Sequence, residues 1–239
     1  MRLIVAGGGL AGLVAARRAL ELGASVTLLE KGDRLGGSLV YSSGYVWTYR
    51  DLPTFRREAP GGDVALQTMI LDRLAPGLSW LEDLGAPVSA RETGNPLTSG
   101  ARFEPRQTVE ALSEGIAASG GRVIMRATLG DLAQDARGRV TGAGVATVEG
   151  RRLEEADAVV LASGGFAANQ ELVGRYITGG RGKLRLRAHP WSTGDGFLAA
   201  LAAGARESAG LDEFYGRNLP APPAAFPPER FVEVSQLYG

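Results

Sequence analysis

Apolar and polar residues alternate along this chain in a few distinct rhythms. Arg2 to Ala6 carries Leu3, Ile4, Val5 and Ala6 in an unbroken run, which predicts a short buried strand. A helical spacing follows from Leu10 to Leu22, with Leu13, Ala16 and Leu20 on one side and Gly23 as the stop. Ser25 to Glu30 is a second strand that ends on an acid. Between Gly62 and Leu84 the apolar positions Val64, Leu66, Met69, Ile70, Leu74, Leu78, Leu81 and Leu84 predict helix. Pro76 should split it in two and Gly85 should close it. Trp80 and the leucines of that stretch are expected in a core. Pro105 to Ser119 is a further helix, with Val109, Leu112 and Ile116 on one face and Gly120-Gly121 at its end. Val123-Ile124-Met125 then reads as a third parallel strand.

The later chain changes rhythm. From Gly138 to Leu153, Val140, Val145, Val148 and Leu153 are separated by glycines and charges, the pattern of a small antiparallel meander. Ala158 to Ala162 is again an apolar strand, followed at once by Ser163-Gly164-Gly165. A helix rich in small residues follows Thr193-Gly194-Asp195-Gly196 and ends at Gly204-Ala205. Strands and helices in this order predict an α/β fold. Its centre is a Rossmann-like parallel sheet, with the meander and a helical insertion between the second and third strands.

Composition narrows the function. Lys+Arg and Asp+Glu are equal at 26 each over 239 residues, so charge gives no reason to expect nucleic acid or an anionic membrane. No run approaches the roughly 18 apolar residues of a membrane span, and Met1-Arg2 leads directly into the first strand with no signal-peptide pattern. There is no cysteine, which removes disulfides, thiolate metal sites and dithiol chemistry and fits a cytoplasmic location. The single histidine, His189, excludes a zinc site built on several histidines, and no metal site is expected. Next to Pro190 and Trp191, His189 is expected to be structural. Glycine is the outlier at 35 residues, about twice its usual share of roughly 7%. The glycines cluster without a period, as where backbone turns sharply or approaches a ligand.

The first cluster carries the chemistry. Gly7, Gly9 and Gly12 form G-x-G-x-x-G between the first strand and the first helix. Gly7 permits the tight turn, Gly9 lets a pyrophosphate approach the backbone and the helix N-terminus, and Gly12 lets helix and sheet pack closely. Leu10 and Ala11 lie in that turn. Glu30, eighteen residues beyond Gly12, is placed to accept hydrogen bonds from a ribose diol. Lys31 follows it, and a second glycine pair then arrives as Gly36-Gly37-Ser38. A plain NAD domain has no need of that pair, whereas FAD runs past this loop.

The block resembles the FAD-binding domain of the fumarate reductase/succinate dehydrogenase flavoprotein family, which includes 3-ketosteroid dehydrogenases and related enoate reductases. Gly36-Gly37-Ser38 and Ser42-Ser43-Gly44 are similar to the family's segments along the pyrophosphate and flavin. The resemblance implies backbone contacts to adenine at Thr128 and Leu129, and a return of backbone to the dinucleotide at Ser163, Gly164 and Gly165. It also implies cofactor contacts at Thr193, Gly194, Asp195 and Gly196, with helix capping as the other reading of Asp195. Tyr41, Tyr45 and Tyr49 are pocket candidates, with aromatic packing as the ordinary explanation. The succinate dehydrogenases attach flavin to a histidine after the glycine-serine segment, and Tyr41 to Trp47 holds none, so non-covalent FAD is expected.

For function, the resemblance implies an FAD-dependent oxidoreductase. It would exchange hydride between flavin N5 and an activated C–C bond next to a carbonyl, in a small-molecule substrate. The electron partner stays open, and an FAD-binding module without its own activity and a flavin monooxygenase are the alternatives. The FAD-binding domain is expected over 1–217, with the helical insertion at about 51–104. The Pro-rich run from Asn218 to Pro228 opens a linker, and 218–239 is read as that linker plus the start of a capping or substrate domain. Such a domain would be encoded further on or separately, and the catalytic residues with it.

Overall fold

The computed structural model describes residues 1–182 and 184–214, together with residues 219, 227 and 230. The linker expected at 218–239 therefore lies almost wholly outside the described residues. In chain order the elements begin with β1 (Arg2–Ala6), α1 (Leu10–Glu21), β2 (Ser25–Glu30) and a 3-10 turn (Gly37–Tyr41). Next come β3 (Tyr45–Tyr49), α2 (Leu52–Glu58), α3 (Val64–Asp83), β4 (Val88–Ala90), β5 (Thr98–Phe103) and α4 (Pro105–Ala118). The chain continues with β6 (Arg122–Met125), β7 (Thr128–Gln134), β8 (Val140–Thr147), β9 (Gly150–Glu155) and β10 (Ala158–Leu161). It closes on α5 (Gln170–Val173), a π-helical turn (Gly174–Thr178) and α6 (Asp195–Ala202). No described helix is long and apolar enough to cross a membrane.

Two compact bodies result, one of residues 1–41 with 116–239 and one of residues 42–115. In the first, β1, β2, β6 and β10 form a parallel sheet in the order β10-β1-β2-β6. The unbroken apolar runs explain this, because both faces are covered. Ile4, Ala6 and Leu29 pack with Leu129, Ala143 and Val145 of the meander β7-β8-β9 and with Ala199 of α6. Val5 and Leu28 point the other way by strand alternation and are fully buried, as are Leu13 and Ala16 of α1, which packs on β1 and β2.

In the second body β3, β5 and β4 make an antiparallel sheet, accompanied by α2 and α3. The expected helical insertion thus contains a sheet that the apolar pattern did not reveal. Tyr49 packs between Trp47 and Phe55. α3 runs unbroken through Pro76, contrary to the expected split. Pro76 removes only the hydrogen bond to the Asp72 carbonyl, and both residues are exposed, so that carbonyl is open to solvent. The expected core face is also corrected. Leu81 is buried and Trp80 is half-buried, but Val64, Leu66, Met69 and Ile70 are exposed.

Candidate functional site

The carboxyl ends of β1, β2 and β10 converge on one edge of the parallel sheet. There the Gly7 amide donates to the Leu29 carbonyl at 2.8 Å, and the Ala162 amide donates to the Ala6 carbonyl at 2.8 Å. Gly7, at φ +114°, is wedged against β10: a Cβ would lie 2.3 Å from the Ala162 carbonyl oxygen. At Gly12 a Cβ would lie 1.8 Å from the Gly7 oxygen, so this glycine lets α1 rest on the turn. Gly9 differs from both. Its φ of −75° suits any residue, and the nearest protein atom to a Cβ there is the Gly37 Cα at 3.8 Å. The protein's own packing does not require glycine at position 9.

α1 begins directly after Gly9 with no side-chain cap and no acid in its first turn. The first amides of a helix have no intrahelical acceptor, so Ala11 and Gly12 offer donors at the positive end of the helix dipole, while the Leu10 amide faces the Gly36 carbonyl across the bridge between Gly9 and Gly36. An open cradle at Gly9 above uncapped amides fits a diphosphate. The second glycine pair closes in from the side. The Gly36 amide donates to the Gly8 carbonyl at 2.8 Å, Gly9 and Gly36 pair as a β-bridge, and Ser38 follows, exposed, in the 3-10 turn.

Glu30 is buried at the tip of β2. Its Oε2 accepts from the Gly8 amide at 2.8 Å and its Oε1 from the Gly32 amide at 2.6 Å. Each oxygen keeps a further acceptor direction. The carboxylate therefore staples the two glycine turns and still has capacity for a ribose hydroxyl. Lys31 turns the other way: its Nζ reaches Asp195 Oδ2 at 2.9 Å and the Thr193 hydroxyl, and that hydroxyl bonds Asp195 Oδ1 at 3.0 Å. Asp195 is thus the first residue of α6 and an ion-pair partner, and the capping position falls to Gly194. Ser163 Oγ accepts from the Gly196 amide at 3.1 Å, and the Gly165 carbonyl accepts from the Gly194 amide at 3.1 Å. Glycine at 194 and 196 already has a protein explanation: a Cβ would meet Leu172 and Phe166, and Ser163 Oγ, respectively.

Thr128 and Leu129 open β7. Leu129 has its side chain in the core, which leaves only its backbone for a ligand. Ser42, Ser43 and Gly44 belong to the second body. There Ser42 Oγ accepts from the Gly44 amide at 3.0 Å and the Ser43 carbonyl accepts from Arg102 Nε at 2.9 Å. Of the three tyrosines, Tyr41 meets His189 edge-on at 5.5 Å, Tyr45 lies under the Arg102 guanidinium, and Tyr49 is in the aromatic cluster already described. His189 is 5% exposed, its Nδ1 accepts from the Trp191 amide at 3.3 Å, and burial pulls its pKa below the ordinary value. No cluster among the described residues could hold a metal.

Two features escaped the sequence reading. Arg126 is the one described non-glycine residue at positive φ, +52°, and its amide donates to the Gly32 carbonyl at 3.1 Å. Its place after a strand was visible, but its backbone conformation was not. Trp191 packs on Gly32, a contact 159 positions apart that no local pattern encodes.

Known proteins resemble the chain over most of its length. The chain is similar to a probable fumarate reductase of Shewanella frigidimarina, 26% identical over 85% of this chain and 39% of that protein. It is also similar to a vinyl phenol reductase of Lactiplantibacillus plantarum, 28% identical over 92% of this chain and 49% of that one. The chain thus spans less than half the length of either relative. Among solved structures, a flavocytochrome c3 fumarate reductase superimposes with TM-score 0.77 at 26% identity, over 86% of this chain and 40% of that one. A 3-ketosteroid-delta4-(5alpha)-dehydrogenase from Rhodococcus jostii shares the fold, with TM-score 0.74 at 22% identity over 85% and 54%. Residues 2–217 match the family described as FAD binding domain, and the chain belongs to that family.

Proposed function

We propose that this chain is the FAD-holding part of an oxidoreductase acting on an activated carbon–carbon bond of a small molecule. The observation that carries the FAD assignment to particular residues is the open space at Gly9 above the uncapped amides of Ala11 and Gly12. Those amides hold the diphosphate, with Gly36, Gly37 and Ser38 along its side. Glu30 holds the ribose, and Lys31 with Asp195 braces the wall made by Thr193 to Gly196. Ser163 to Gly165 form the floor at the end of β10. Thr128 and Leu129 offer backbone to the adenine, and Ser42, Ser43 and Gly44 of the second body are assigned to the flavin by the family resemblance. FAD, when bound, supplies hydride transfer. The residues of this chain bind it, orient it and exclude water from its diphosphate.

The reaction class rests on the relatives. Fumarate and vinyl phenol both carry a carbon–carbon double bond, activated by carboxylates in one and by a phenol ring in the other. A carbonyl-activated bond is therefore the narrower form of this proposal. No described residue is assigned the proton transfer, and His189 is unsuited to it, buried and with Nδ1 engaged. FAD is held without a covalent link, since the segment from Tyr41 to Trp47 has no histidine. A cytoplasmic location suits a chain with no cysteine. The chain's short span against its relatives favours one second reading, an FAD-binding module that needs further protein for turnover.

The test is direct. The purified chain should bind FAD and show visible flavin absorbance, and acid denaturation should release all of it. Reduced viologen dye with fumarate or vinyl phenol, and an artificial acceptor with a ketosteroid, then separate the two readings. Turnover supports the enzyme, and a yellow but inert protein supports the module. A chain that stays colourless and ignores added FAD refutes both.

A further inference from the structure

We propose that Trp191 is a specificity-determining residue: its indole is an aromatic wall for the adenine base of the dinucleotide. The inference rests on the FAD reading and assigns a residue that reading leaves out.

The argument starts at Gly32, two residues beyond Glu30. A Cβ there would lie 2.7 Å from Trp191 Cδ1 and Nε1 and 3.0 Å from Glu30 Oε1. Gly32 is not among the positive-φ residues, so turn geometry does not demand glycine. Glycine is needed because an indole edge is brought against the backbone beside the ribose-holding carboxylate.

The indole is placed by a turn bonded at every step. The Trp191 amide donates to His189 Nδ1 at 3.3 Å, the Ser192 amide donates to the His189 carbonyl at 3.1 Å, and the Thr193 amide donates to the Trp191 carbonyl at 2.9 Å. The Ser192 carbonyl accepts from the Ala168 amide at 2.9 Å, and the Thr193 side chain is bonded to Lys31. Across the loop, the Arg126 amide fixes the Gly32 carbonyl.

Despite this scaffolding Trp191 stays 42% exposed. That exposed part of the ring is open to a flat partner. An exposed indole beside a carboxylate that takes ribose hydroxyls stands one sugar away from the base that sugar carries. Stacking of a base on an aromatic ring is worth roughly 1–3 kcal/mol by alanine substitution. That converts to a fivefold to hundredfold range in affinity, at about 1.4 kcal/mol per tenfold. FMN has no adenosine and gains nothing from the wall.

Titration of the wild-type chain, Trp191→Ala and Trp191→Phe with FAD, ADP and FMN tests this. Trp191→Ala should weaken FAD and ADP by about fivefold to hundredfold, Trp191→Phe should recover most of the loss, and FMN should bind all three alike. A Trp191→Ala chain that binds FAD and ADP as tightly as wild type overturns the proposal. So does an equal loss for FMN, which would signal a loosened fold. A second measurement avoids the substitution. In a Trp47→Phe/Trp80→Phe chain, Trp191 is the remaining tryptophan, and saturating ADP should change its fluorescence; no change overturns the proposal. A wild-type chain that binds neither FAD nor ADP fails earlier and refutes the FAD reading itself.

Discussion

The two bodies use their apolar residues differently. In the first, every apolar side chain of β1 and the side chains of Val26, Leu28 and Leu29 in β2 are buried, and the polar groups at the sheet edge have named partners. In the second, α3 leaves Leu66 56% and Met69 52% exposed while burying Gln67 to 3%. The Gln67 amide donates to the Ala59 carbonyl at 2.9 Å and its Oε1 accepts from Arg56 at 3.1 Å, so a polar hub holds α2 to α3. Hydrophobicity therefore reports burial along β1 and β2 and fails to do so along the first half of α3. The central strands β1 and β2 of a parallel sheet covered on both faces bury their apolar residues, while the edge strand β10 leaves Leu161 exposed. A helix beside a small three-stranded sheet has turns of surface to spare.

The sharpest test of the contrast compares glycines. Gly12→Val places a side chain where the Gly7 carbonyl oxygen sits, so α1 must leave the sheet. The expected loss is about 4 kcal/mol or more, a large share of the roughly 5–15 kcal/mol that holds a domain together. Gly61→Ala, in the second body with no atom within 4 Å of the new Cβ, should stay within about 0.5 kcal/mol. Urea unfolding of both variants decides it, and similar losses would dissolve the distinction.

Gly9→Val divides the first body itself. The protein leaves room at position 9, so the stability of the apo chain should fall by less than about 1 kcal/mol, the scale of an ordinary surface or helix-end change. FAD binding should be abolished, because the valine occupies the space above the α1 amides. Retained flavin absorbance after desalting would show that the cradle is not the diphosphate site. Gly7, Gly9 and Gly12 look alike in the sequence, and only the distances to Ala162, Gly37 and Gly7 separate the folding glycines from the binding one.

Lys31→Met tests the brace across the sheet edge. It leaves Asp195 and Thr193 without their cation, with a loss of about 1–3 kcal/mol expected for a hydrogen bond to a charged group. Thermal unfolding in low and high salt reads it: the two chains should differ less in high salt, because the pair is a quarter exposed and is screened. An unchanged melting temperature would show the bridge to be idle.

His189 gives the pH dependence. Burial lowers its pKa in the fold, a pull partly opposed by the Glu30 carboxylate and then aided by Arg34. Unfolded, it titrates near the ordinary value of about 6.5. As pH falls through that value the unfolded chain takes up a proton that the folded chain resists. Stability present above it is lost toward acid. Chemical unfolding of wild type and His189→Asn between neutral pH and pH about 5 should show a shallower acid loss in the variant. Parallel curves would remove His189 from the account.

These residues also show what a sequence can and cannot disclose. β1, α1, β2, β6 and β10 were legible because each is an unbroken or periodic apolar run bounded by glycine. Two strands of the meander, β8 and β9, were legible from the alternation between Gly138 and Leu153, whereas β7 lay outside it. The sheet of β3, β5 and β4 was not, because Tyr45–Tyr49 pairs with Thr98–Phe103 across an intervening pair of helices. The site residues were found singly. Lys31 and Asp195 were both singled out, but their ion pair spans 164 positions and only the fold closes it. Trp191 on Gly32 is the same case, without a motif to flag either member.

The smallest expected effect lies on α3 and completes the contrast. Leu66→Ser and Met69→Ser change apolar residues that the helical pattern assigns to a core. Since both side chains already face solvent, little apolar area returns to water on unfolding. Each should cost within about 0.5 kcal/mol, apart from a few tenths for serine's weaker helix propensity. Leu13→Ala in α1, at a fully buried position, should cost about 2–5 kcal/mol by the same assay. Two leucines equally apolar in the sequence would then differ several-fold in worth. If Leu66→Ser instead cost as much as Leu13→Ala, the face of α3 would be buried in solution against protein outside this structure. α3 would then obey the same rule as β1 and β2.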